Sequence, residues 1–219
     1  MRLALGVEAG LSIPQAVREM HRLDRAFFDS ALARSQETGL YVLPLADEAA
    51  DMAALPSLQD LSILMQILRT VFDVVVVYWG LFSRQAVQSG NDGGRRQLLL
   101  CCNQRFASVR HAKFLLKELL AAGTPIQDIV LTIHQLAPNL TPAPDAIARA
   151  VGAERFMTLN TSWACLVQAH NQGRPLCLAG ASSYAMTLRS HLAGEGLLPA
   201  GSDTRTPNIF SWLRKAAAS

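Results

Sequence analysis

Four short apolar runs alternate with segments of helical period along this chain, and that alternation constrains the fold more than any other feature. The runs are residues 72–77, 97–102, 129–133 and 155–159. The first reads Phe72-Asp73-Val74-Val75-Val76-Val77, a nearly continuous β-branched stretch with no polar alternation. A strand of that composition needs cover on both faces, as inside a parallel sheet. Between and after the runs, apolar residues recur at helical spacing over about 107–121, 144–151, 162–171 and 181–193. Gly123 stops the first of these. Strands and helices alternating at these lengths predict an α/β fold: three layers, a mostly parallel sheet with flanking helices, and right-handed crossovers.

The segment before residue 55 is less regular. Ser12 is a good N-cap, with Pro14 in the first turn, for a helix through Ala16, Val17 and Met20. A second helix is predicted from Asp24, with Phe27, Phe28, Ala31 and Leu32 on its apolar face and Gly39 ending it. Residues 40–43 then read as a short strand stopped by Pro44. Ser57 caps a further helix bearing Leu58, Leu61, Leu64, Met65 and Leu68, which leads into the valine run. Residues 89–96, rich in Gly and Arg, read as a surface loop. The stretch 194–207 has the Gly, Pro and Thr content of a linker. The expected organisation is one domain over 1–194, a linker over 195–207 and a short amphipathic segment over 208–219.

Composition narrows the function classes. Half of the 219 residues are hydrophobic and 17% are charged, as expected of one sizeable core. A net charge of +3 is mild, and without a concentrated basic stripe no nucleic-acid partner is expected. The N-terminus is a poor signal peptide, with Glu8 inside its apolar run, and no run is long enough to span a bilayer. A soluble cytoplasmic protein is the expectation. Cys101, Cys102, Cys165 and Cys177 show no CxxC or Cys/His ligand spacing, so reduced core thiols are expected and metal ligation is not. His21, His111, His134, His170 and His191 form no HxH or HExxH pair, and Ser182, Ser183 and Ser211 lie in no GxSxG elbow. Asp73, at the entry of the valine run, reads as a strand-end turn or ion pair before it reads as catalytic.

Several local phrases, in order, carry a resemblance. They are Leu23-Asp24 and the helix after it, Gly39-Leu40-Tyr41-Val42-Leu43-Pro44, the run 72–77, Ser108-Val109-Arg110-His111-Ala112-Lys113, and Asn171-Gln172-Gly173-Arg174-Pro175-Leu176. Together they resemble the RLD, GLxVLPAP, FDYVVVD, SLRNAK and NQGRPL phrases of the CpaE/TadZ proteins of Flp (type IVb, Tad) pilus assembly. Those proteins belong to the ParA/MinD class of deviant P-loop ATPases. The resemblance covers roughly residues 3–194 and implies a P-loop NTPase-like fold of ParA/MinD type.

The departures from the family are as informative. Its members carry a Gly- and Lys-rich Walker A loop and an acidic DLD segment upstream of the matching region. No GxxxxGK[ST] occurs here, and Gly93-Gly94 is followed by arginines. The N-terminal phosphate-loop unit is therefore expected to be missing from this chain. The family's second magnesium-facing aspartate falls at Tyr78, a phenol that cannot replace a carboxylate around a hard cation. The LNR phrase becomes Leu131-Thr132-Ile133, and the PND turn becomes Asn160-Thr161-Ser162. Tyr78, Thr132, Asn160 and Ser162 are thus read as remnants of a nucleotide site. Trp79 and Trp163 stand where the family has Leu and Tyr, and are expected to fill the emptied pocket.

The resemblance implies a non-catalytic scaffold or localisation factor, a pseudo-ATPase with no cofactor. It would act at the cytoplasmic face of the inner membrane or the cell pole. Implied partners are a second copy in a homodimer, the Tad secretion ATPase and the inner-membrane pilus platform. The alternative is a nucleotide-switched ATPase, using ATP and magnesium, whose Walker A segment is absent from this chain. An unrelated nucleotide-sugar or methyl-transfer enzyme would need a Gly-rich first turn that does not occur. In the tail, Ile209, Phe210, Trp212 and Leu213 are followed by Arg214 and Lys215. That pattern suits either docking onto the protein's own body or a partner, or weak contact with an anionic membrane surface.

Overall fold

The computed structural model describes residues 7, 10–36, 38–45, 56–78, 96–137, 139–160, 163–173 and 183–196, without the side chain of Trp163. Ser12 caps helix α1 (Ile13–Arg18) in a reciprocal box: its hydroxyl accepts from the Gln15 N–H, and Gln15 Oε1 accepts from the Ser12 N–H at 2.9 Å. Asp24 caps α2 (Arg25–Ala31), accepting from the Phe27 N–H at 2.7 Å. This helix is shorter than the sequence predicts. Leu32 is already extended, and Ala33–Arg34 forms β1, paired antiparallel with β2 (Tyr41–Val42).

The reason for the early stop lies in Ser35 and Thr38, whose hydroxyls accept from the Thr38 and Leu40 N–H groups and hold the chain in a turn. Such local bonds compete with helix continuation. Gly39 supplies the positive φ (72°) that this turn requires, so it closes a hairpin and does not end a helix. Gly10 has a different role. A Cβ there would lie 2.6 Å from the Ala33 nitrogen, so the chain can cross β1 only as glycine.

Helix α3 (Leu58–Val71) starts from a second reciprocal box, between Ser57 and Asp60. It buries Leu64 and Leu68 with Ala16, Phe28 and Leu32, and Phe72 and Val75 pack against this group. Arg25 ties the cluster's edge: its guanidinium lies 5.6 Å from the centre of the Phe72 ring and donates to the Val71 carbonyl at 3.2 Å.

The valine run departs from expectation. Residues 72–78 take no place in the described sheet, and Val74, Val76, Val77 and Tyr78 are exposed, Val76 to 84%. A continuous apolar run becomes a buried strand only when neighbouring strands take up its N–H and C=O groups. No described strand does so. Among the described residues, Phe72 and Val75 find apolar partners, on the α3 side.

The strands and helices described after residue 96 fall close to where the sequence predicts them. β3 (Leu98–Cys102), β4 (Ile129–His134) and β5 (Phe156–Leu159) form a parallel sheet in that order, with Leu100 opposite Leu131 and Thr132 opposite Met157. The connecting helices are α4 (Phe106–Ala121) and α5 (Pro144–Val151), followed by α6 (Trp163–Asn171) and α7 (Ser183–Gly194). On one face Leu100, Cys102, Ile129, Leu131 and Ile133 meet Ala112, Leu116 and Leu119 of α4 and Ile147, Ala148 and Val151 of α5. On the other, Val130, Met157 and Leu159 meet Tyr184 and Leu188 of α7. This is a sheet between two helical layers.

Among the described residues, cover on the second face thins beyond β4: Leu99 and Cys101 of β3 are exposed, although His191 of α7 reaches Gln97 just before the strand at 3.0 Å. The cysteines correct the expectation of uniform core thiols. Cys102 is buried while Cys101 and Cys165 are exposed, and Cys177 lies outside the described residues. Residues 79–95 and 197–219, with Trp79, most of the predicted linker and the tail candidates Ile209 to Lys215, also lie outside them.

Candidate functional site

In open α/β sheets the place for chemistry is the rim beyond the carboxyl ends of the strands. Here that rim is built from the turns after Cys102, His134 and Leu159. After β3, the Asn103 side chain accepts from the Arg105 N–H at 3.0 Å, and Ser108 Oγ accepts from the Asn103 N–H at 3.1 Å. These bonds turn the chain from strand into α4. Gln104, between them, reaches across to the loop after β4. Its Oε1 accepts from the Ala137 N–H at 2.7 Å. Its Nε2 donates to the carbonyls of Leu140 (3.1 Å), Pro142 (3.2 Å) and, longer, Ala137 (3.4 Å). One side-chain amide therefore holds both edges of the loop, and both of its donor hydrogens are spent there.

β4 ends at His134, half-buried, whose imidazole is held below its ordinary value of 6.5 by burial. It is followed by Gln135 at a positive φ of 54°. β5 ends at Leu159, level with His134, and the next residue, Asn160, is exposed. The Asn160 carbonyl accepts from Ser183 Oγ at the start of α7 at 3.3 Å. Among the described rim residues, Asn103, Gln104, Ser108 and Ser183 have their side chains engaged with the chain's own backbone. Among the described residues, no three His, Cys, Asp or Glu side chains gather as metal ligands would.

The proposed nucleotide-site remnants are only partly brought together. Asn160 is at the rim. Thr132 lies two residues short of the end of β4 and is 2% exposed. It faces the α7 side, and its hydroxyl finds no partner. Thr132 is therefore a buried strand residue, not a rim group. Tyr78 is 78% exposed at the end of the valine run, and Ser162 lies outside the described residues. Gln104 is the residue that the sequence does not announce, since a lone glutamine after an apolar strand carries no motif.

The sequence matches no protein-family model, and comparison with curated proteins finds no match. Solved structures do match. A ParA family ATPase from Chlorobium tepidum TLS superposes with a TM-score of 0.74 at 15% identity, covering 88% of this chain and 80% of the other. The MinD cell division protein of Aquifex aeolicus gives 0.65 at 15% identity, covering 92% and 81%. A MinC:MinD cell division protein complex from the same organism gives 0.67 at 13% identity, covering 92% and 80%. The protein has the ParA/MinD-type α/β fold. At such identities the likeness concerns fold alone. No described helix is long and apolar enough to cross a membrane.

Proposed function

We propose that this chain is a non-catalytic, CpaE/TadZ-like scaffold or localisation factor for Tad/Flp pilus assembly. It works at the cytoplasmic face of the inner membrane through protein–protein contacts, with a second copy, the Tad secretion ATPase and the pilus platform as its partners. The reading rests on Tyr78. The family that the sequence resembles has a magnesium-facing carboxylate at this position, whereas here a phenol points into solvent. A neutral phenol is not a ligand for magnesium, which takes hard, preferably anionic oxygen. The exposed Leu99, Val74 and Val76 add apolar surface of the kind that protein contacts cover.

Isothermal titration of the chain with Mg-ATP tests the proposal. No saturable heat is expected, and binding at micromolar Kd would defeat it. The fold shared with a ParA family ATPase favours a second reading, a nucleotide-switched ATPase. An in-frame Gly- and Lys-rich loop encoded directly upstream of Met1 would support that reading instead.

A further inference from the structure

Helix α4 covers the sheet with Ala112, Leu116 and Leu119 and turns its other side to solvent. That outer side carries Arg110, Lys113 and Lys117, all exposed. At about 100° per residue the three fall within roughly 60° of one another, one row along the helix. Phe106, 81% exposed, heads the row. Phe114, 57% exposed, flanks it on one side and Leu120 on the other. Exposed Arg105 stands just before the first turn, and His111 stacks on Phe114 with ring centres 6.5 Å apart.

Among the described residues, nothing nearby neutralises the row. The helix's one acid, Glu118, is half-buried to the side. On the neighbouring α5, Asp145 is engaged by Arg149 at 2.8 Å, and Asp128 is held by Arg96. Among the described residues, Arg110, Lys113 and Lys117 have no carboxylate within ion-pair distance.

We infer that this face of α4 docks an acidic amphipathic helix of a partner protein. Carboxylates at i, i+3 and i+7 of that helix would meet the cationic row, and its apolar flanks would cover Phe106, Phe114 and Leu120. The order of residues selects this occupant. A helix that lies in a bilayer surface keeps its apolar residues at the centre of the buried face and its cations at the margins. Here the cations are central and the apolar residues marginal. Duplex nucleic acid would satisfy the cations through phosphates but leave two phenylalanines and a leucine in water. The inference does not depend on the pilus assignment or on the nucleotide question.

The test is fluorescence anisotropy with a labelled helical peptide of about fifteen residues, with Glu at i, i+3 and i+7 and Leu on both sides. Its Lys-for-Glu counterpart, phosphatidylglycerol vesicles and a DNA duplex serve as competing probes. The intact chain should bind the Glu peptide, more weakly as salt rises, and should not bind the Lys peptide. Arg110→Glu with Lys113→Glu should weaken binding about tenfold or more, because two attractions become repulsions. Phe106→Ser with Phe114→Ser should weaken it without changing the salt dependence. All four positions are exposed, and an unchanged thermal midpoint verifies the fold. Should charge reversal unfold the protein, Arg110→Gln with Lys113→Gln replaces it. Absence of binding to the Glu peptide overturns the inference, as does equal binding by the charge variants. Tighter binding to vesicles or duplex, abolished by the same variants, also overturns it.

Discussion

At the scale of single residues, Gln104 does for the loop after β4 what a neighbouring strand does for a strand. It takes one N–H and shares two hydrogens among three carbonyls of residues 137–142. Gln104→Leu keeps the bulk but strands the Ala137 N–H and three acceptors. A loss of about 2 kcal/mol in urea denaturation is expected, since groups left unpaired cost more than the net worth of the bonds removed. A midpoint unchanged from the parent would show that water replaces the amide at no cost. No periodicity or motif distinguishes Gln104 in the sequence, because its role depends on a loop more than thirty residues away. Thr132 is the converse case. The family resemblance implies a nucleotide-site remnant there, whereas strand alternation puts it on the same face as buried Val130.

At the scale of elements, helix starts were the most legible feature, because a cap is a local bargain. Ser12, Asp24 and Ser57 each accept the backbone N–H that their spacing predicts. The strands β3, β4 and β5 were legible for another reason: each is an apolar run that a helix covers, α4 and α5 over β3 and β4, and α7 over β5. The valine run shows the limit of that logic. Composition states what a segment could pair with, and pairing needs a second strand elsewhere. Val76→Lys tests the observed placement. At an exposed site it should change stability by less than about 0.5 kcal/mol, whereas in a covered strand it would cost several. A large fall in thermal midpoint would return the run to the sheet. The basic face of α4 was only half legible. Its cations are spaced for one side of a helix, but their freedom from carboxylates among the described residues depends on the pairing of Asp145 and Asp128.

At the scale of the whole molecule, the layered α/β architecture was readable from alternation alone, and the ParA/MinD-type neighbours bear it out. Acid should erode this architecture in two stages. Burial keeps His134 neutral below its ordinary 6.5, so the unfolded chain binds a proton that the folded chain resists. Stability therefore falls as pH drops through that range. Asp29 acts at lower pH. The Tyr41 hydroxyl, and then Arg25, hold its carboxyl below the usual 3.8, so its contribution is present above that value and fades as pH falls through the folded pKa. Urea midpoints at about pH 7.5 and 5.5 should differ in the parent and converge in His134→Gln, while the lower stage persists. Identical midpoints in the parent would refute the upper stage. The open flank of β3 also bears on handling in air. Cys101 sits there among leucines with no lysine or proline to deter a neighbouring copy. Its Sγ leans toward the Leu99 carbonyl, and although the residue keeps exposed surface, the protein atoms packed around the sulfur raise the thiol above its ordinary 9.0. Thiolate, the species that exchanges disulfides, is accordingly scarce at neutral pH. Copies that meet along this flank should separate again on dilution, with few trapped as covalent dimers.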